Sequence, residues 1–560
     1  MNKIDKEKWV TADFETTTEK FYNEYGFVKV WLYAISDSDG KILKYGDSIE
    51  DFMKYCKENL NGYIVYFHNL KFDGSYILNY LINKEIPYKD RIFAKDSKCY
   101  NTLISDDGNF YQITYHPHQS CTIKFQDSLK LLPFSIKKIA EDFNLPIKKG
   151  TIDYDKYEIT EETLGYIFND VSIAAMALKE LKNIGMTQMT TASCAYNNFS
   201  NDFPFMNDMF PILETEFLEK YRLAYRGGRC QVNPLYASKT IYNVKRYDIN
   251  SMYPHIMRNL PLPVGNPIPI NKMGNYKFEL YELDIKFKLK EGHLPSLLKK
   301  DMIFGEGSYY IETEDIETIC ISSIDFEILQ RHYDIEFMYI REMYGFKTRE
   351  GLFSKYIDKW YKIKQENKGA KRVIAKLMLN SLYGKFGSRC KGKSKIPKLD
   401  ENGALAFDLS EEQDMRKYYL PIAIAITSYA HLLIDNAIIN TGILNFVYCD
   451  TDSVHTLSKL DNELIDQYEL GKFKLEGIEL KSKYVRQKTY CYSEIDKEND
   501  IVYTIVCAGM NDATKEYILN TYEDSIFEIF DKGLKVENTK MIPKQVKGGV
   551  VLLPTSFEIK

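Results

Sequence analysis

Tyr448-Cys449-Asp450-Thr451-Asp452-Ser453 is the stretch on which the reading of this chain turns. The apolar run Ile443-Leu444-Asn445-Phe446-Val447 precedes it and Val454-His455-Thr456 follows, a pattern that predicts two short strands joined by a tight turn with acids at its tip. Residues two apart on an extended chain project to one side, so Asp450 and Asp452 are expected to point together. Such a pair is the hard-oxygen ligand set that Mg²⁺ accepts while it also holds substrate phosphates. One acidic turn cannot complete a phosphoryl-transfer site, so a remote carboxylate is required. Tyr247-Asp248-Ile249-Asn250-Ser251-Met252-Tyr253-Pro254 offers Asp248 at the end of another strand-like run. An Asp-Thr-Asp alone reads equally well as a solvated hairpin turn, and only its partners elsewhere favour the chemical reading.

Those partners begin at the N-terminal end, where about 190 residues alternate strand-like and helix-like runs and predict an α/β layer structure. Thr11-Ala12-Asp13-Phe14-Glu15-Thr16 places Asp13 and Glu15 on one side of a strand, and Tyr66-Phe67-His68-Asn69-Leu70-Lys71-Phe72-Asp73-Gly74 puts Asp73 near a helix start. In Tyr166-Ile167-Phe168-Asn169-Asp170 the i, i+4 spacing brings Tyr166 and Asp170 onto one helix face. Four acids and a tyrosine suit a two-metal phosphodiesterase site, with Asp13, Glu15, Asp73 and Asp170 as ligands of two Mg²⁺ about 3.5–4 Å apart and Tyr166 orienting the water. Singly each has a plainer reading, Asp73 as a helix cap and Tyr166 as core.

C-terminal of this module, Thr190 to Pro211 is rich in Ser, Asn, Thr and Asp and reads as a surface crossing or domain junction. In Tyr225-Arg226-Gly227-Gly228-Arg229 the glycines permit close backbone approach to a phosphate and the arginines add charge. Lys376, Asn380 and Tyr383 recur at i, i+4 and i+7 and share a helix face suited to a nucleoside triphosphate, with Leu377, Leu379 and Leu382 facing inward and Lys364 and Arg372 extending the positive face. Cys390 to Asp414, opening on Lys391-Gly392-Lys393-Ser394-Lys395, reads as a flexible basic loop. Lys488 and Tyr490, two apart on an expected strand, share a face.

Composition bounds these readings. At 560 residues the chain is long enough for several domains. Its 44 Tyr and 31 Phe suit base stacking or ordinary core packing. A net charge of −5 argues against a protein that simply coats nucleic acid, though not against an enzyme with local charge patterning. Ten cysteines without a Cys-x-x-Cys pair indicate neither a disulfide framework nor structural zinc, and fit a reducing cytoplasm. Met1 to Lys6 is polar and carries no signal-peptide pattern. The most apolar window, Leu420 to Ile439, is broken by Ser428, His431 and Asp435, so a buried helix rather than a membrane span is expected.

Asp-x-Glu, Asn-x-x-x-Asp and Tyr-x-x-x-Asp, in that order, resemble the three exonuclease motifs of family B DNA polymerases, and the Asp248, Lys376 to Gly384 and Asp450 segments resemble polymerase motifs A, B and C. With the Gly-Gly and Lys-x-Tyr elements, the resemblance spans essentially the whole chain and is nearest to the protein-primed, phi-29-like phage replicases. It implies an α/β and α+β multidomain fold, an RNase H-like 3′–5′ exonuclease domain followed by a right-hand polymerase of palm, fingers and thumb with two insertions. The implied divisions are 1–188 for the exonuclease domain, 189–259 for the first part of the palm, 260–351 for an insertion contacting a terminal protein and DNA, 352–390 for the fingers, 391–414 for a strand-displacement insertion, 415–507 for the rest of the palm and 508–560 for the thumb.

The resemblance assigns Asp248, with the Ile249 carbonyl, and Asp452 to the polymerising metals, Asp450 to support from the side, and Lys149 to the scissile phosphate. It implies DNA contacts for Asn69, Phe72, Ser128, Leu129, Tyr225, Arg226, Gly227, Gly228, Lys488 and Tyr490. Nucleotide contacts fall to Tyr253, Lys364, Arg372, Lys376, Asn380 and Tyr383, with Tyr253 lying under the sugar. The implied cofactor is Mg²⁺, two ions per site, with Mn²⁺ able to substitute. The implied partners are template and primer DNA, dNTPs and a terminal protein whose hydroxyl primes synthesis, with no membrane, for a monomer or a heterodimer with that protein in a host cytoplasm. Alternatives are a nucleic-acid-primed family B polymerase, a reverse transcriptase, against which the split Asp-Thr-Asp argues, and a nuclease or DNA-binding protein of the same fold.

Overall fold

A computed structural model describes residues 8–91, 96–299 and 307–559; Met1 to Lys6 lies outside them. The N-terminal part is built on a seven-stranded sheet with strand order 42–46, 30–36, 9–16, 64–67, 123–127, 110–116, 99–104. Pairing is parallel across 9–16, 64–67 and 123–127 and antiparallel elsewhere. Val30–Ser36 is buried along its whole length because helices cover both faces. Leu32 and Ala34 pack with Ile167 and Val171 of helix Glu161–Asn183, while Tyr33 and Ile35 face Phe52 on the opposite side.

A second seven-stranded sheet, antiparallel throughout, runs in the order 501–507, 489–495, 473–486, 240–249, 453–456, 446–450, 230–232. Helix Leu420–Thr441 packs behind it, with Ile424 and Ala425 in one core with Ile249, Cys449 and Val454. Among the described residues this helix is the one long and apolar enough to cross a membrane, yet 72% of its apolar window is buried inside the protein, as expected of a core helix.

Thr190 to Pro211 is not the surface crossing expected from its polar composition. Thr190 caps helix Thr191–Asp202 by accepting from Ser193 N–H at 3.2 Å, and Cys194, Ala195 and Phe199 are buried. Phe199 meets Phe353 with ring centroids 4.6 Å apart. Much of the aromatic surplus is therefore spent on core packing. The strands 262–269, 333–349, 278–289 and 317–322, in that order, form a four-stranded sheet, with helix Ser323–His332 between its last two strands in sequence. Helices Ser354–Glu366 and Ala370–Phe386 pack on one another. On the second, Met378 rather than Leu377 takes the inward position beside Leu379 and Leu382, because the 3.6-residue period turns Leu377 half outward. Leu382 is fully buried, and truncating it to alanine costs about 2–5 kcal/mol.

Cys390 to Asp414 is likewise not a flexible loop. Lys391–Gly392 pairs with Gln413–Asp414, and Lys395–Leu399 with Leu405–Leu409, making a β arm. Leu405 enters the N-terminal core together with Val546, Val550 and Val551 of the C-terminal hairpin Leu534–Val546/Gly549–Ile559. The hairpin reaches that core because Gly548, at φ 91°, admits the Val28 carbonyl where any Cβ would lie 2.1 Å from its oxygen.

Candidate active sites

The N-terminal acids converge on a cavity of about 160 Å³ lined by Asp13, Glu15, His68, Lys149, Tyr166 and Asp170 among others. Alternation on strand Trp9–Thr16 sends Ala12 and Phe14 into the core and leaves Asp13 and Glu15 on the cavity side. Helix Glu161–Asn183 is started by a Thr160/Thr163 capping box and presents Tyr166 and Asp170 one turn apart. Lys149 pairs with Asp170 Oδ2 and stands 4.7 Å from the Tyr166 ring centroid, and the Tyr166 hydroxyl meets that of Tyr154 at 2.9 Å. Asp73 is buried on the first turn of helix Leu70–Asn83.

Burial, then Asp170, pushes Asp13 up to about 7, and burial, then Asp13 and Asp170, pushes Glu15 up to about 9. Burial and Asp13 hold Asp73 well above the ordinary carboxylate value, and burial raises Asp170 despite Lys149. Lys149 is itself raised, since Asp170 and Asp13 outweigh the burial that pulls it down. Asp170 Oδ1 is buried without a hydrogen-bond partner. Crowded carboxylates, one of them with a buried oxygen left without a partner, are a donor set that fits a divalent cation.

Between the ordinary values of 3.8 and 4.5 and the raised ones, the folded protein holds more protons than the unfolded chain, so stability falls as pH rises through that window. In EDTA, Tm is expected to be higher at pH 5 than at pH 8.5, and Mg²⁺ is expected to raise Tm more at the higher pH. Differential scanning fluorimetry across pH, with and without the ion, checks both.

His68, quoted within the second acidic cluster but given no role there, lines the cavity with Nδ1 3.0 Å from Ser128 Oγ and Nε2 2.7 Å from the Phe134 carbonyl. Burial lowers its pKa. Ser128 is correspondingly turned inward, its hydroxyl shared between His68 and the Phe67 carbonyl, so the expected primer contact through that side chain is not available. Asn69 sits left-handed at φ 79° with its N–H on Asp127 Oδ1 at 3.0 Å. Asp127 also takes the Leu129 N–H at 3.0 Å, and Phe72 is half-buried with its ring centroid 6.0 Å from that of Tyr76.

The acidic turn differs from its expected form. Asp450 ends strand Phe446–Asp450, but Thr451 has φ 59°, which breaks the extended run, so the two acids do not share one face by strand alternation. Asp450 is held by Lys488 Nζ at 2.7 Å from each carboxylate oxygen. Asp452 lies next to Ser453, which pairs in register with Asp248, and so comes close to that acid as well as to Asp450. Burial, then Asp452 and Glu476, pushes Asp248 up to about 7, and burial raises Asp452. Asp248 also pairs in register with Lys474, so strand Phe473–Arg486 brings in two further charges, Lys474 and Glu476, that no sequence motif had flagged. Ile249, at the end of the strand Thr240–Ile249, donates its N–H to the Asp452 carbonyl at 2.8 Å.

Lysines from the helix pair face these acids. Lys364 Nζ donates to Ser251 Oγ at 3.0 Å, and its pKa is lowered by burial and by Arg372 and Lys376. Lys376 is close enough to Asp452 to oppose the rise in its pKa, and Asn380 is exposed on the same helix. Tyr253 stacks on Tyr383 with ring centroids 4.3 Å apart. Residues 55–157 and 153–469 match the family of DNA polymerases of type B, organellar and viral. Over 99% of its length the chain is 35% identical to the DNA polymerase of Bacillus phage phi29, 99% of which is covered. It is 34% identical to that of Streptococcus phage Cp-1, 98% of which is covered. The chain belongs to the type B DNA polymerases. The solved phi29 polymerase with primer-template DNA and incoming nucleotide superposes at TM-score 0.89 and 34% identity, over 99% of this chain and 100% of that one.

This polymerase is thus a DNA-directed, DNA-binding nucleotidyltransferase of the phi29 type with a multidomain α/β fold. Its Tyr225-Arg226-Gly227-Gly228-Arg229 segment departs from expectation. Arg226 is buried, with Nε on the Leu298 carbonyl at 3.0 Å and an NH2 group on the Cys320 carbonyl at 3.1 Å, so its charge points inward rather than at DNA. Gly227 stays exposed, and Tyr225 is half-buried against Gly387. Lys488 lies not on a strand but in the tight turn between strands Phe473–Arg486 and Thr489–Ile495, at φ 53°. That turn aims its amine at Asp450, while Tyr490 is half-buried in a stack with Tyr484, centroids 5.0 Å apart.

Proposed function

We propose that the polymerase is a protein-primed replicase, copying a linear viral or plasmid genome with strand displacement and trimming mispaired 3′ ends at a separate site. The observation that carries this reading is the pair of carboxylate clusters on two different sheets of one chain, one facing lysines and tyrosines and the other lining a separate cavity. Asp248 and Asp452, with the Ile249 carbonyl, would hold Mg²⁺ in the polymerising site, and Asp13, Glu15, Asp73 and Asp170 would hold it in the RNase H-like 3′–5′ exonuclease site; Mn²⁺ can replace it. Bound there, the ion neutralises phosphate charge and makes the attacking oxygen a better nucleophile.

The chain's own residues do the rest. Lys364, Arg372 and Lys376 meet the triphosphate, and Asn380 orients it. Tyr253, held flat by Tyr383, floors the sugar, and a 2′-hydroxyl collides with its ring. Tyr253→Val is expected to lower the preference for dNTPs over ribonucleotides by at least about tenfold, which is about 1.4 kcal/mol of discrimination, as read by competing the two in single-nucleotide extension. Lys488 and Tyr490 bear on the primer end, and Lys488 exchanges Asp450 for a primer phosphate. In the N-terminal site Lys149 stabilises the scissile phosphate while Tyr166 orients the water.

Protein priming is supported by two additions to the polymerising core, the sheet of 262–349 and the β arm of 391–414. The first is the surface assigned to the terminal protein. The second, docked on the N-terminal sheet and bridged to Lys547 through Ala404, forms a wall that parts the strands. The protein acts as a monomer or with its terminal protein, in a host bacterial cytoplasm. The test is incubation with a candidate terminal protein, unprimed genome ends, labelled dNTP and Mg²⁺. A nucleotide covalently joined to a protein hydroxyl is expected, whereas synthesis from oligonucleotide primers alone favours a nucleic-acid-primed enzyme.

A further inference from the structure

The segment that departs most from its sequence reading lies directly against the acidic turn. The Thr451 N–H donates to the Arg229 carbonyl at 2.8 Å. A Cβ on Gly228 would lie 2.8 Å from Thr451 Oγ1, so only glycine permits this approach. Thr451, at φ 59°, is the left-handed residue of the turn that joins Asp450 to Asp452. Whatever fixes residues 226–229 therefore fixes the orientation of both acids.

Two buried polar networks do the fixing, and both run from the inserted sheet to helix Leu420–Thr441. In the first, Arg229 donates to Gln231 Oε1 at 3.1 Å and to Asp435 Oδ1 at 2.8 Å. Asp435 also meets His332 Nε2 at 2.8 Å and Arg331 at 3.2 Å, and His332 Nδ1 lies 3.1 Å from His293 Nδ1. In the second, His431 Nε2 donates to the Gly227 carbonyl at 2.6 Å while Nδ1 meets Asp325 Oδ1 at 2.8 Å. Asp325 accepts further from the hydroxyls of Ser322 at 3.1 Å and Ser428 at 2.6 Å. The exchange is reciprocal. Helix Ser323–His332 gives an aspartate to one network and a histidine to the other, and helix Leu420–Thr441 does the same. Arg229, Asp435, Asp325, His332 and His431 are all at least nine-tenths buried, so each depends on its partner for compensation.

We infer that residues 226–229 form a positioning clip for the acidic turn, and that the inserted sheet sets this clip through the His332–Asp435–Arg229 and His431–Asp325 networks. Arg229 and His332 are positioning residues acting on Asp450 and Asp452 through Thr451, and touch neither DNA nor nucleotide. The inference rests on the reading of those acids as the polymerising site. It gives the insertion a second role besides offering surface: without it the acids are not aligned.

Arg229→Lys keeps the charge but loses the fork that spans Asp435 and Gln231, and His332→Gln keeps a donor but not the ring that bridges His293 and Asp435. Each variant and the intact protein are compared in three ways. In single-nucleotide incorporation with Mg²⁺, kcat is expected to fall at least about tenfold with KM for dNTP changed less than about twofold. In hydrogen exchange, the Thr451 amide is expected to lose protection at least about tenfold while residues 9–16 keep theirs. On the same preparations, 3′-end degradation at the N-terminal site is expected to stay unchanged, which also reports an intact fold. Unaltered kcat and Thr451 protection in the folded variants overturn the inference alone, as does an equal loss of both activities. No synthesis by the intact protein overturns the polymerising reading beneath it.

Discussion

Asp452→Ala is expected to cut nucleotide incorporation by roughly 10³-fold or more while leaving 3′-end degradation intact. Asp452 is the acid of the turn that faces Asp248 across the register of two neighbouring strands, and its burial raises its own pKa while its charge helps push Asp248 up to about 7. Removing it leaves Asp248 with Glu476 as its acidic neighbour and Lys364 and Lys474 opposing them, a site with too little negative charge for a divalent cation. Asp450→Ala is expected to act differently, because Asp450 is paired with Lys488 rather than aimed at Asp248. That change removes the carboxylate that orients the Lys488 amine before it meets the primer phosphate, so the primer contact weakens and KM for DNA rises more than kcat falls. Steady-state extension of a labelled primer separates the two.

Asp13→Ala is expected to have an effect of similar size on the other activity, abolishing degradation of a 3′ end while synthesis continues. Asp13 is crowded by Glu15, Asp73 and Asp170, with Lys149 as the cation that opposes their charge. Its loss removes one of the proposed metal ligands and at the same time relieves like-charge repulsion. In metal-free buffer at pH 8 the variant is therefore expected to melt higher than the intact protein, while the Tm gain on adding Mg²⁺ shrinks. Loss of degradation with a raised metal-free Tm is a signature that a merely misfolded variant does not produce. Tm with and without Mg²⁺, measured beside a 3′-end degradation assay, reads both effects.

The carboxylates themselves were legible in the sequence because period-two and period-3.6 spacing are local. Asp13 and Glu15 share a strand face, and Tyr166 and Asp170 share a helix face, as their spacing required. Local period could not reveal a left-handed residue inside a strand-like run, so Thr451 and Lys488 turned two expected strand pairs into turns. Nor could it tell a charged residue that faces a groove from one compensated inside. Arg226 and Arg229 looked basic and exposed, but their partners Cys320, Leu298 and Asp435 lie 72 or more residues away. The same holds for Cys390 to Asp414, whose lysines suggest a solvated loop while Leu405 anchors it in a core shared with residues 546–551. Glu476 and His68 were missed because each reaches its site through sheet register or a loop crossing, with no motif of its own.

The most direct test is a dNTP titration on a 3′-mismatched, 5′-labelled primer annealed to a longer template, with the intact protein and Mg²⁺. Without dNTPs the primer is expected to shorten. As dNTPs are added it is expected to lose the mismatch and then extend to the template end, and EDTA is expected to stop both. Extension that retains the mismatch, or no shortening at any dNTP concentration, contradicts the assignment of Asp13, Glu15, Asp73 and Asp170 to a second phosphodiester-cleaving site within this polymerase.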